Sequence, residues 1–79
     1  MGLSDLPLDK GRTHVKVLET FGWIQRRSEK NHFAMTHPAV PNVVVSIPDH
    51  KEVDRKLLRT ELRKAGIDTA EYRKRYDEV

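Results

Sequence analysis

The chain has 79 residues, with 15 Lys and Arg against 12 Asp and Glu, four His and no Cys, for a formal net charge of +3. At this length only about 60–65% of the unfolded surface can be buried, which fits one small domain, and the absence of Cys excludes both a disulfide framework and a thiolate zinc site, so packing in a reducing cytoplasm is expected. The opening Met1-Gly2-Leu3-Ser4-Asp5-Leu6-Pro7 has no charged start followed by an apolar run, Leu6 breaks a myristoylation signal, and no window approaches the roughly 18 apolar residues of a membrane span.

From Lys10 to Phe21, Val15, Leu18 and Phe21 recur at a spacing of three with Val17 beside them, which predicts a helix ended by Gly22. Trp23-Ile24-Gln25-Arg26-Arg27 then reads as a basic strand and Ser28-Glu29-Lys30-Asn31 as a polar hairpin connection. In the second strand, successive side chains alternate across the sheet. Phe33 and Met35 therefore share the apolar face, while His32, Ala34 and Thr36 lie on the other. Pro38-Ala39-Val40-Pro41-Asn42 predicts a second, stiffer turn, since its two prolines fix φ. Val43-Val44-Val45 is β-branched on both faces and predicts the best buried of three antiparallel strands, with Pro48 as its stop.

After Asp49 the period changes, and Val53, Leu57, Leu58, Leu62 and Ala65 predict a second helix closed by Gly66. Asp68-Thr69-Ala70-Glu71 resembles a capping box. It opens a short, weakly apolar helix with Tyr72 and Tyr76 one turn apart, a stripe free to fray, to dock on the domain or to order against a partner. The expected fold class is α+β in the order α-β-β-β-α plus a short C-terminal helix, with two helices on one face of a three-stranded antiparallel sheet and the other face open. That order is one frame of the double-stranded-RNA-binding-like fold.

The charges are clustered. Arg26, Arg27 and Lys30 flank the histidine strand, and Arg55, Lys56, Arg59, Arg63 and Lys64 follow the second helix, an arrangement that attracts phosphates. Solvated helix faces also carry such runs with no ligand in view. Of the histidines, His32 faces away from the apolar side, whereas His37 has the opposite parity and reads as the strand's end at a turn. His14 on the first helix and His50 at the start of the second read as surface or capping residues. No spacing supports a zinc cluster of His32, His37 and His50. Trp23, Phe33 and Met35 read as core, and no carboxylate pair suits acid–base work.

Gly22-Trp23, Arg27, His32 five residues later, His37-Pro38, Val45-x-Ile47-Pro48 and Leu58-Arg59-x-x-Leu62-Arg63-Lys64-Ala65-Gly66-Ile67 together resemble the HicA mRNA-interferase toxins of bacterial and archaeal toxin–antitoxin pairs. The resemblance implies a single HicA-like domain over residues 1–79, with a core of about 10–67 and a helical extension over 68–79. It implies a cytoplasmic, ribosome-independent endoribonuclease that acts on mRNA, is neutralised by a separately encoded HicB antitoxin, and uses one strand-borne histidine, which falls on His32. Chemistry makes one imidazole sufficient without a metal or other cofactor. RNA brings its own nucleophile, the 2′-hydroxyl, and a well-placed histidine contributes about 10²–10⁴ in rate. Arg27 is the candidate to hold the scissile phosphate, with Arg26, Lys30 and Asn31 as further RNA contacts. The family usually has Gly-Ser where Lys30-Asn31 stand, and Gly-Thr-Leu where Lys56-Leu57-Leu58 stand.

Two other classes remain open. One is a non-catalytic double-stranded-RNA-binding module using Arg26, Arg27, Lys30 and the basic second helix, disfavoured by Asp49, Glu52 and Asp54 at that helix's N-terminal end. The other is a protein-interaction domain docking through its open sheet face.

Overall fold

In the computed structural model, which describes residues 6–79 and at 27–29 the backbone alone, the chain runs α1 (Gly11–Thr20), β1 (Ile24–Glu29), β2 (His32–His37), β3 (Val40–Pro48), α2 (Arg55–Ala65) and α3 (Thr69–Glu78). The N-terminal reading of residues 1–5 and the side chain of Arg27 thus lie outside the described residues. The sheet is antiparallel in the order β1-β2-β3, which makes β2 central and both neighbours edges. This is the double-stranded-RNA-binding-like α+β arrangement.

Alternation decides which face is covered. Phe33 and Met35 of β2 with Val45 and Ile47 of β3 form the buried side, roofed by Val15 and Leu18 of α1 and by Leu58 and Leu62 of α2. Trp23 joins them. Asp54 caps α2 by accepting the Leu57 N–H at 3.1 Å, and Gly66 closes it in the left-handed region at φ 73°. Asp68 likewise accepts the N–H groups of Ala70 and Glu71 at the start of α3. Gly22, at φ 93°, ends α1 where a Cβ would fall 2.6 Å from the His37 Nε2. His37 is an anchor: its Nε2 lies 3.0 Å from the Phe21 carbonyl, and its Nδ1 accepts the Ala39 N–H at 3.0 Å.

Several boundaries differ from the sequence reading. β3 begins at Val40 rather than Val43, because an edge strand tolerates Pro41, whose missing N–H can face outward. The Val43–Val45 run is buried on one face only: Val45 is fully buried, whereas Val44 is 52% exposed. Val53 is buried but precedes α2, Leu57 faces outward at the limit of exposure, and His50 sits in the loop before the helix. That loop clamps α1. Gly11 donates to the His50 carbonyl at 3.0 Å, Val53 donates to the Asp9 carbonyl at 2.8 Å, and any side chain at Gly11 would collide with the Pro48 carbonyl oxygen.

The largest correction concerns His14 and α3. His14 is fully buried rather than a surface residue, since it stands three and four residues before Val17 and Leu18 on the buried stripe of α1. Its Nδ1 lies 2.6 Å from the hydroxyl of Tyr72, which is also fully buried, so the Tyr72/Tyr76 stripe docks on α1 and is not left for a partner. Tyr76 donates to Asp9 at 2.7 Å, and Arg75 donates to the Thr20 carbonyl at 2.7 Å while lying over the Phe21 ring. Two tyrosines suffice to hold a weakly apolar helix because each buries a large ring and still satisfies its hydroxyl.

Burial lowers the His14 pKa from 6.5 to about 4, against a small opposing pull from Asp9. A charged ring would carry N–H groups on both nitrogens, and Nε2 has no hydrogen-bond partner among the described residues. The folded pKa lies below the unfolded one, so the unfolded chain binds the proton first. Stability is complete above about pH 6.5 and falls towards pH 4, by on the order of 3 kcal/mol. Urea unfolding at pH 7 and 4.5 should show this loss, and His14→Gln should flatten it. Equal wild-type stability at both pH values would contradict the buried neutral imidazole.

Candidate active site on the open sheet face

With Phe33 and Met35 turned inward, the period of two leaves His32 and Ala34 on the uncovered side of the central strand. His32 opens β2 opposite Glu29 of β1 and Pro48 of β3. Its position is fixed from both sides, by the two-residue Lys30-Asn31 connection and by the Asn31 carbonyl, which accepts the Asp49 N–H at 2.6 Å. The imidazole is exposed and makes no side-chain hydrogen bond among the described residues. Lys30, His32, Ala34 and Ser46 line an open depression of about 670 Å³.

Ser46 was not singled out by the sequence. It pairs with Ala34 across the β2–β3 ladder, and its N–H, on the outer edge of β3, donates to Glu61 of α2 at 2.8 Å. Lys64 in turn holds Glu61 at 2.8 Å. The available signal was a lone hydroxyl inside Val43–Ile47, at the parity of the exposed Val44.

The candidate contacts are only partly brought together. Lys30 shares the depression with His32; Asn31 is exposed beside it and uses its backbone, not its side chain, to brace the hairpin. Gln25 pairs with Met35 and Arg27 with Ala34, so Arg26 is the extra residue of a β-bulge, exposed and outside the lining. Arg27 therefore holds the register position next to the site, opposite Ala34. Ile24, opposite Thr36, and Val44 add an apolar margin to the open face. Among the described residues no group of three or more His, Asp or Glu could hold a metal ion, and no helix is long and apolar enough to cross a membrane.

A helix-backed three-stranded sheet that presents an exposed histidine and a lysine on its bare face defines a small double-stranded-RNA-binding-like domain with a polar surface site. The family model described as HicA toxin of bacterial toxin-antitoxin matches residues 11–67, and the chain belongs to that family. It is accordingly the toxin of a toxin–antitoxin system, and a cognate antitoxin is its partner. No curated protein matches the chain significantly. The matched span starts with α1 and ends just after Gly66, so α3 and its tyrosine latch lie beyond the shared part.

Lys30 adopts φ 50°, in the left-handed region that glycine enters at no steric cost. Lys30→Gly should relieve that strain and, after the added freedom of the unfolded chain, leave the fold more stable by about 0.5 kcal/mol. Thermal unfolding checks this; a loss of 1 kcal/mol or more would show that the lysine side chain itself holds the hairpin.

Proposed function

We propose that the protein is an endoribonuclease that cleaves mRNA without a metal, that His32 is its single acid–base residue, and that a HicB-type antitoxin silences it by covering the open face. The observation that carries the reading is the exposed His32 imidazole, with no side-chain hydrogen bond among the described residues, in a depression that it shares with Lys30 and Ser46. A histidine kept for structure would be bonded, as His14 and His37 are.

The chemistry follows from the substrate. The 2′-oxygen attacks the adjacent phosphorus, the bond to the 5′-oxygen breaks, and the products are a 2′,3′-cyclic phosphate and a 5′-hydroxyl. One proton leaves the 2′-hydroxyl and one reaches the departing oxygen. His32 handles one of these transfers and water the other, which makes turnover slow. Lys30, Arg26 and Arg27 neutralise charge on the phosphate, the Ser46 hydroxyl and the Asn31 amide orient it, and DNA is inert for lack of the 2′-hydroxyl. Because the same cations attract acidic groups, a partner of complementary charge would find this face quickly and seal it over a standard interface of about 1,200–2,000 Å².

His32→Ala should lower RNA cleavage by about 10²–10⁴ and remove growth inhibition at matched expression, with thermal stability unchanged because the side chain is exposed. Equal toxicity of the two proteins would end the assignment. Diethyl pyrocarbonate labelling of His32 should be blocked in the antitoxin complex; unchanged labelling in an inactive complex would refute occlusion.

A further inference from the structure

We infer that the outer face of α2 is a second nucleic-acid site, at which Lys56, Arg59 and Arg63 bind backbone phosphates of the same RNA that the open sheet face cleaves; this rests on the ribonuclease reading. These residues and Thr60 recur at one-turn spacings and line a shallow depression of about 280 Å³.

Fold stability does not account for where these cations stand. The first turn of α2 contains no acidic residue; the Asp54 cap carboxylate stands just before it, spent on the Leu57 N–H, and Lys56 still meets the positive end of the helix dipole, which a cation opposes. Arg59 lies three residues after Lys56 and four before Arg63, spacings at which like charges repel. Only Arg63 and Lys64, in the last turn, sit where the dipole favours them. The other cations of the helix have structural partners: Arg55 donates to the Leu6 carbonyl at 2.8 Å, and Lys64 pairs with Glu61. Glu61, the one acid of α2, is buried and turned towards Ser46. Lys56, Arg59 and Arg63 consequently have no acidic partner among the described residues, in contrast to the Arg73–Asp77 pair of α3.

The two depressions lie on opposite sides of the sheet, since α2 packs on its covered face, and they are linked around the edge of β3, where Glu61, next to Thr60 in the chain, accepts the N–H of Ser46 from the His32 depression. An RNA strand is an evenly charged ligand that can reach both.

The test uses the full chain with His32→Ala, so that RNA survives, and a fluorescently labelled single-stranded RNA titrated over a salt series. Adding Lys56→Gln, Arg59→Gln and Arg63→Gln should make the slope of log affinity against log salt shallower by about 2 and weaken binding on the order of 100-fold near about 0.1 M salt. Arg59→Glu alone should raise the melting temperature by a few degrees, by turning its like-charge pairs with Arg55, Lys56 and Arg63 into opposite-charge ones, while weakening RNA binding. A structural residue would not move these two readouts in opposite directions. An unchanged salt slope overturns the inference, and if the same substitutions weaken antitoxin binding instead, the face is a protein contact. Should the wild type cleave RNA while the slope is unchanged, this inference fails alone; should the slope change while the wild type cleaves nothing, the ribonuclease reading fails alone.

Discussion

The register of β2 is the constraint on which the rest depends. Phe33 and Met35 must be buried, Met35 faces Val45 and Phe33 faces Ile47, and the period of two then forces His32 outwards. A slip of one residue would bury the imidazole and expose a phenylalanine and a methionine, at a cost of several kcal/mol. The register is pinned at the site's own end, by the Lys30-Asn31 connection, by the bond from Asp49 to the Asn31 carbonyl, and by the close approach of Gly11 to the carbonyl of Pro48. Folding and presentation of the histidine are thus one event.

Much of this was legible in the sequence because it depends on local signals. The helix periods, the stops at Gly22 and Gly66, the cap at Asp68 and the two faces of His32–His37 all follow from neighbours within a turn or two. What escaped depends on partners far along the chain. The His14–Tyr72 bond joins residues 58 positions apart, and neither residue announces the other. The bulge at Arg26 adds one residue without a Gly or Pro to mark it, so the sequence did not show that Arg27 rather than Arg26 stands opposite Ala34. Ser46 was not singled out, because edge and central strands cannot be told apart before the sheet order is known.

Departures from the most stable choice gather near the proposed chemistry. Lys30 occupies a left-handed position, and three cations on α2 have no acidic partner among the described residues. The fold tolerates them because its covered face, with the α3 latch on α1, is closed by residues that are nearly all fully buried. His14 is a different case, a buried imidazole with one nitrogen unpartnered, and it belongs to the latch rather than to the site.

The end groups of the RNA fragments, produced in excess chelator, test most directly whether His32 works on a self-cleaving substrate. Fragments with 2′,3′-cyclic or 3′-phosphate ends and 5′-hydroxyls are predicted, with no cut at a nucleotide whose 2′-hydroxyl is replaced by hydrogen. Fragments with 5′-phosphates, or cleavage that stops when magnesium is withdrawn, would contradict the mechanism.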